Sequence, residues 1–209
     1  MEEDIFNKQM SRREFLKKSS IIAAGTAIMP SETFASWGDE FAWDKELEPL
    51  FESSSIFTQD DVKSLNFYNT HTGKKTDLVY YENGQYIDEA LDEINIIMGD
   101  FRENKYISIN RKLIDTIYDV KKLTNSKKPI NILSAYRTRK TNNYLRRNMR
   151  GVAKDSFHIK GMAIDINIQN VSLRNIKNAA MTLRKGGIGY YPRSNFVHLD
   201  VGKFRTWRG

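Results

Sequence analysis

The chain has 209 residues, enough for one domain with a short extension, and 40% of them are hydrophobic, so a core can be buried. It contains no cysteine, which excludes disulfides, thiolate metal sites and cysteine nucleophiles. The formal net charge of +7 suits nucleic acid, an anionic membrane surface or an anionic cell-wall polymer. Because the basic residues are scattered, charge alone does not choose among these partners, and a solvated basic surface explains it equally well.

The N-terminus has the pattern of a signal peptide. Arg12 and Arg13, followed by Phe15-Leu16-Lys17, precede a short apolar run at residues 21–29. The run is shorter than the ~20 residues of a membrane-spanning helix, and small residues up to Ala35 suit a signal peptidase. The paired arginines resemble a twin-arginine signal. Residues 1–35 are therefore predicted to direct export to the periplasm through the twin-arginine translocase, and no later apolar stretch is long enough to span a membrane.

The remaining chain mixes patterns typical of strands and helices. Residues 36–63 are acidic and lack a period, which predicts a linker or N-terminal arm before a domain at 64–209. Strands are predicted at 65–69, 77–81, 130–133, 163–168 and 196–201, helices at 87–101, 110–123, 141–149 and 172–185, and turns at 70–75, 82–84 and 189–192. This mixture predicts an α+β fold with a mainly antiparallel sheet flanked by helices.

Two short stretches, residues 156–165 and 196–200, carry candidate metal ligands. They contain His158 and His198, two of only three histidines in the chain, together with Asp165. Two imidazoles and a carboxylate suit a zinc ion, and Gly161 allows the sharp turn that brings His158 towards Asp165. On spacing alone this stays one of two interpretations, because a His-x6-Asp pair is frequent by chance and a strand histidine is often simply packed or solvated.

The motif Ser156-x-His158-x-x-Gly161-x-Ala163-x-Asp165, with a strand histidine 33 residues later, resembles the signature of zinc peptidases that cut bacterial cell-wall peptides. Ser134-Ala-Tyr-Arg-Thr138 and Gly186-Gly-Ile-Gly-Tyr-Tyr-Pro192 extend the resemblance, over roughly residues 64–207, to one branch, the murein endopeptidase K family. The resemblance implies a fold like hedgehog domains and D-Ala-D-Ala carboxypeptidases. It also implies a zinc ion held by His158, Asp165 and His198.

The general base is the incomplete part of the pattern. Many relatives place a glutamate or a second histidine shortly before the last histidine, but here those positions hold Asn195 and Phe196, which cannot take a proton. Asp200 shares a predicted strand face with His198 and is the predicted catalytic base. It could equally orient a ligand histidine. Asp155 is a weaker candidate, with an exposed loop acid as its plainer interpretation.

Three further residues are assigned from the motifs. The resemblance implies that Arg137 contacts the substrate, as a guanidinium can through charge-assisted hydrogen bonds. Ser156 is a second predicted substrate contact, with holding its own loop as the alternative role. His71 lies in a predicted turn and is expected to be packed or solvated rather than a fourth ligand.

These observations predict a zinc-dependent murein endopeptidase that hydrolyses peptide cross-links of peptidoglycan in growth or remodelling of the wall. The alternatives are a D-Ala-D-Ala carboxypeptidase and a non-catalytic, zinc-stabilised module that binds wall peptides. A nucleic-acid partner rests on charge alone, and the predicted export signal argues against it. Whether the bond that is cut is D,D or L,D stays open at this point.

Overall fold

The computed structural model describes residues 62–149 and 151–209. The predicted signal peptide at 1–35, and all but the last two residues of the predicted arm at 36–63, lie outside these described residues. Strand β1 begins at Val62, so regular structure is present two residues before the predicted start of the domain at 64. No helix in the described part of the chain is both long and apolar enough to cross a membrane.

The described chain forms one eight-stranded sheet with four α-helices. The elements are β1 (Val62–Asn69), β2 (Lys75–Glu82), β3 (Gln85–Tyr86), α1 (Asp88–Ile97), α2 (Arg111–Leu123), β4 (Ile130–Ser134), α3 (Arg139–Asn148), a 3₁₀ turn (Phe157–Lys160), β5 (Ala163–Ile168), α4 (Leu173–Leu183), β6 (Gly187–Tyr191), β7 (Phe196–Asp200) and β8 (Arg205–Arg208). The strand order is β3-β2-β1-β4-β5-β7-β6-β8.

The sheet is mixed, which corrects the prediction of a mainly antiparallel sheet. Strand β1 runs parallel to β4, and β6 runs parallel to β8, whereas the other neighbours are antiparallel. A parallel pair needs a long crossover, and the chain between β1 and β4 supplies one that contains α1 and α2. Alternation along a strand reveals which face is buried, but it does not reveal the direction of a neighbour, so this error is intrinsic to the sequence pattern.

The helix predictions were right in number, with errors at the ends. Helix α1 stops at Ile97, before Gly99, where a side chain would press on the carbonyl oxygen of Lys105, so the prediction to residue 101 was too long. Asn110 and Ser172 cap α2 and α4 through their side chains, as predicted. Helix α3 starts at Arg139, earlier than predicted, because Thr138 is its N-cap.

One hydrophobic core lies between the sheet and its helices. Ile164, Ile166 and Ile168 of β5 belong to it, with 0%, 0% and 3% of their surfaces exposed. Helix α4 contributes Ile176 to the same core. Since successive strand residues point to opposite faces, Asp165 projects from the other face of β5. The predicted alternation is therefore confirmed, and it places a carboxylate on the side of the sheet away from the core.

Strands β3, β6 and β8 were missed, and residues 189–191 of the predicted turn at 189–192 belong to β6 instead. Glycines suggested the turn, but Gly187 and Gly189 lie inside β6. At both positions the neighbouring side chains leave no room for a Cβ. A Cβ on Gly187 would collide with Asp200 and Arg205, and one on Gly189 would come within 2.7 Å of Trp207. Glycine here permits close packing within a strand rather than a reversal of the chain.

The carboxylate of Asp115 in α2 fastens that helix to the first three strands. It accepts hydrogen bonds from the hydroxyls of Tyr80 at 3.0 Å and Tyr86 at 2.6 Å, and the Lys63 ammonium lies 3.4 Å away. Burial, then the hydrogen bond and charge of Asp115, raises the pKa of Tyr86 to about 12. The neutral phenol is thus favoured in the folded state. This contribution to stability is complete below the ordinary tyrosine pKa of about 10 and is lost as the pH rises towards the folded value.

Replacing Asp115 by asparagine is expected to lower the free energy of unfolding by about 1–3 kcal/mol at neutral pH, because the buried Tyr80 hydroxyl loses its charged acceptor. Urea unfolding measures this change, and the exposed acid Asp92, changed to asparagine, is the control. The tyrosine titration followed by ultraviolet absorbance should also move to lower pH. An unchanged unfolding midpoint in Asp115→Asn would contradict the fastening role.

Candidate metal centre

His158, Asp165 and His198 converge on one point. One nitrogen of each histidine and one carboxylate oxygen of Asp165 all lie within 4.8 Å of one another. His198 Nδ1 is 2.8 Å from Asp165 Oδ1, His158 Nε2 is 3.4 Å from Asp165 Oδ2, and the two imidazole nitrogens are 3.3 Å apart. The structure therefore brings together the three residues that the sequence predicted as ligands.

Strand pairing sets two corners of this triangle. Strands β5 and β7 are antiparallel, and in their register Asp165 lies directly opposite His198. Side chains of directly opposed residues on one face lie close together, so the sheet itself brings the carboxylate and the imidazole into contact. The hydrophobic alternation of β5 fixes which face they share, because a shift of one residue would send the isoleucines into solvent.

A short turn supplies the third corner. Ser156 caps the 3₁₀ turn by accepting a hydrogen bond from the backbone N–H of His158, and Gly161 ends the turn in the left-handed conformation with φ of 63°. A Cβ on Gly161 would lie 3.1 Å from the carbonyl oxygen of Ser108, so both conformation and space favour glycine. The predicted sharp turn at Gly161 is confirmed. It carries the buried His158 to the edge of β5.

Each imidazole is oriented through its second nitrogen. His158 Nδ1 lies 2.7 Å from the carbonyl oxygen of Ala135, and His198 Nε2 lies 3.1 Å from Asp200 Oδ2. Both partners are acceptors, so these nitrogens carry the protons and donate them. His158 Nε2 and His198 Nδ1 are the nitrogens that face Asp165, and each offers a lone pair to a cation when it carries no proton. Two such lone pairs beside a carboxylate form a donor set that fits a divalent cation, with the outer contacts that metal-binding histidines generally have.

The electrostatics of the cluster also favour a cation. Burial holds the pKa of His158 below its ordinary value, so this imidazole is neutral at neutral pH. Burial would also lower the pKa of His198, but hydrogen bonds and charge from Asp165 and Asp200 outweigh burial and raise it. Burial would raise the pKa of Asp165, yet the neighbouring His158 and His198 keep it well below its usual range. Asp165 is therefore a carboxylate wherever the protein is folded near neutral pH.

Asp200 is held from all sides. Besides His198, its carboxylate accepts hydrogen bonds from the backbone N–H groups of Gly187 at 3.1 Å and Gly202 at 2.8 Å. The two terminal nitrogens of Arg205 donate to it at 3.0 and 2.7 Å. Its side chain is 0% exposed. Burial would raise its pKa, but these hydrogen bonds, led by that of His198, hold the pKa well below its usual range.

Arg137 and Ser156, the predicted substrate contacts, lie beside the cluster. Arg137 donates from its guanidinium to Ser156 Oγ at 3.3 Å, and its backbone N–H donates to the carbonyl oxygen of His158 at 3.2 Å. Its Nε is buried and has no hydrogen-bond partner within residues 62–149 and 151–209. Burial lowers the pKa of this arginine, although the charge of Asp165 opposes the effect. The candidate metal centre is therefore adjoined by a guanidinium group of which only some donors are hydrogen-bonded within the described residues.

The remaining histidine and the substituted base positions lie outside the cluster. His71 stacks on Phe101 with ring centroids 4.6 Å apart and contacts the carbonyl oxygen of Leu133. This agrees with the expectation that His71 is packed. Asn195 occupies a turn with φ of 57°, and its carbonyl oxygen accepts a hydrogen bond from Asn167.

Sequence reasoning missed a partner of His158, the carbonyl of Ala135, and a partner of Asp200, the guanidinium of Arg205. The carbonyl oxygen of Ala135 has no side-chain signature, so no residue pattern could reveal it. Arg205 lies five residues after Asp200, in a strand too short to show a period. Trp207 in the same strand lies 5.3 Å from the His198 ring, centroid to centroid, and donates from Nε1 to the hydroxyl of Tyr191. The C-terminal strand thus contributes to the surroundings of His198.

Comparison with known proteins agrees with the motif. The family model described as peptidoglycan L,D-endopeptidase MepK matches residues 58–207. A relative of that name from Escherichia coli (strain K12) is 38% identical over 197 residues, which cover 94% of this chain and 97% of the relative. The protein of the same name from Shigella flexneri matches to the same extent. The resemblance to the murein endopeptidase K family is confirmed, and the chain belongs to this family of peptidases.

Proposed function

We propose that the protein is a zinc-dependent endopeptidase that hydrolyses L,D peptide bonds in the cross-links of peptidoglycan, in growth or remodelling of the cell wall. The observation that carries the proposal is the convergence of His158, Asp165 and His198 on one point beside the partly paired Arg137. The relatives, which are named L,D-endopeptidases, supply the class of bond.

His158, His198 and Asp165 would hold the zinc ion, through the two facing imidazole nitrogens and a carboxylate oxygen. Two imidazoles and one carboxylate form a ligand set found in catalytic zinc sites, where a further position stays open for water or substrate. Bound there, zinc supplies a Lewis acid that polarises the peptide carbonyl and lowers the pKa of water. The carbonyl of Ala135 and the carboxylate of Asp200 keep the two rings in the tautomers that zinc requires.

Asp200 was predicted as the general base, with orientation of a histidine as its alternative role. Its contacts favour the alternative. Four donors besides His198 occupy the carboxylate, and its side chain has no exposed surface from which to take a proton from water. Asp200 is accordingly a positioning residue that acts through His198.

Arg137 binds the substrate peptide, and Ser156 holds Arg137 and the turn that carries His158. The Ser156 hydroxyl oxygen accepts from both the Arg137 guanidinium and the His158 backbone N–H. The guanidinium keeps donors free for a substrate carboxylate or carbonyl, with which it can form charge-assisted bonds. Ser156 links substrate binding to the position of a metal ligand.

The protein acts in the periplasm, where its peptidoglycan substrate lies, and reaches it by the twin-arginine translocase. The support is the Arg12-Arg13 pair with its short apolar run, and the peptidoglycan activity in the names of the relatives. That translocase carries folded proteins, which would let the metal centre form before export.

The test is hydrolysis of purified cross-linked muropeptides, with products identified by mass. Zinc-loaded full-length protein is expected to convert L,D cross-linked dimers into monomers and to leave D,D cross-linked dimers intact. A chelator should stop the reaction, and added zinc should restore it. Loss of a single terminal alanine would instead identify a carboxypeptidase. Unchanged dimers despite one bound zinc per chain would overturn the endopeptidase proposal and favour a binding module.

A further inference from the structure

A pocket adjoins the metal centre on the side of β4. It is lined by residues that follow β1, α1 and β4, among them His71, Phe101, Arg102, Ala135 and Arg137. Ala135 belongs to both places, since it lines the pocket while its carbonyl oxygen accepts the hydrogen bond of His158. Arg137, the proposed substrate contact beside the metal centre, lines the pocket as well, so a peptide bound by Arg137 would also face the pocket.

Two guanidinium groups share the pocket, and neither forms an ion pair with a carboxylate of the described residues. Arg137 hydrogen bonds only to the uncharged Ser156 through its side chain, and its Nε is buried with no partner in the described residues. Arg102 forms no ion pair with any described residue, and its guanidinium carbon lies 4.3 Å from the centre of the Phe101 ring. Burial lowers the pKa of Arg137 most; the charges of Asp165 and Asp100 oppose this effect and the charge of Arg102 adds to it, so the two guanidinium groups lie within electrostatic range of each other.

The one acid that lines the pocket is already occupied. Asp100 is 3% exposed, and its carboxylate accepts hydrogen bonds from the backbone N–H and hydroxyl of Thr138 and from the backbone N–H of Arg102. It therefore holds the backbone in place and leaves both guanidinium groups available. Like charges repel unless an anion lies between them, so the arrangement is complementary to a carboxylate.

Arg102 is also held in place by stacking. His71 and Phe101 stack with centroids 4.6 Å apart, and the Arg102 guanidinium lies on the same Phe101 ring. Such stacking fixes the plane of a guanidinium and lowers the entropy lost when it binds a planar anion.

We infer that Arg102, together with Arg137, forms a subsite for a carboxylate carried by the substrate peptide next to the bond that is cut. This inference rests on the proposed peptidase function for the reaction, but the binding preference it assigns can be measured separately. Arg102 is then a specificity-determining residue, which favours cross-links with a free carboxylate over those in which it is amidated.

Binding is tested with two peptide analogues that resist cleavage because the scissile amide nitrogen is methylated. They differ only in the neighbouring carboxylate, which is free in one and amidated in the other. Calorimetry with the zinc-loaded full-length protein should show roughly tenfold to hundredfold tighter binding of the free carboxylate. In Arg102→Gln the ratio of the two dissociation constants should fall at least tenfold, and in Arg102→Lys it should fall less. Arg174→Gln is the matched control, since this exposed arginine lies on α4, away from the pocket.

Equal binding of both analogues by the wild type, or a full preference retained by Arg102→Gln, would overturn the subsite. With the cleavable pair of peptides, Arg102→Gln should raise KM for the carboxylate peptide and leave kcat nearly unchanged. A wild type that cuts neither peptide contradicts the proposed function, and the ratio of the two dissociation constants still decides the subsite.

Discussion

Replacing Asp165 by asparagine is expected to reduce bound zinc from one per chain to a small fraction and to lower kcat/KM about a thousandfold. The substitution keeps the shape of the side chain but removes the negative charge that lies 2.8 Å from His198 and 3.4 Å from His158. Metal-assisted hydrolysis depends on several kcal/mol of charge stabilisation, and each 1.36 kcal/mol corresponds to a factor of ten in rate.

Metal content measured by mass spectrometry and hydrolysis of the L,D dimer give the two readouts for Asp165→Asn. Asp77→Asn is the matched control, because Asp77 lies on β2, three strands away from β5 in the sheet. The control should keep both zinc and activity. Full activity in Asp165→Asn with normal zinc content would contradict the assignment of Asp165 as a ligand.

Asp200→Asn is expected to weaken zinc binding roughly tenfold to hundredfold, the range found when an outer partner of a ligand histidine is lost. An amide cannot offer acceptors to both His198 and the two donors of Arg205, so one of them loses its bond. The ring of His198 then loses the acceptor that fixes its tautomer. The rate at limiting zinc should fall in proportion to occupancy.

A zinc titration distinguishes the two roles of Asp200. If Asp200 acts through His198, saturating zinc should restore most of the rate in Asp200→Asn. If Asp200 is the general base, the rate should stay low at full occupancy. Arg205→Lys is a useful companion variant, because it keeps a positive charge beside Asp200 but cannot form the paired bonds. It should weaken zinc binding less than Asp200→Asn does.

The three converging residues could be predicted from the sequence, because a strict alternation of isoleucine and polar residues fixes which face of β5 Asp165 occupies. The motif around His158 and the histidine in the last predicted strand supplied the other two. The register that places Asp165 opposite His198 could not be predicted, because it depends on pairing between residues 33 positions apart in the chain. The parallel pair β1–β4 was hidden for the same reason, and the pair β6–β8 was hidden because neither strand was predicted.

The environment of Asp200 could not be predicted either. Its neighbours come from β6, from the loop after β7 and from β8, and the residues of β6 were predicted in part as a turn. Only the packed structure reveals that Gly187 leaves room for Asp200 and Arg205. Candidate metal-binding side chains are thus easier to identify from a sequence pattern than the contacts that orient them.

The two histidines differ in the kind of group that accepts the hydrogen bond of the ring: a side-chain carboxylate for His198 and a backbone carbonyl for His158. His198 depends on the side chain of Asp200, which a single nucleotide change can replace. His158 depends on the carbonyl oxygen of Ala135, which every amino acid at that position would supply. The hydrogen bond to His158 is therefore genetically robust, and an alanine scan would not detect it. Substitutions at position 135 can disturb this contact only through packing, because Ala135 is buried in the core.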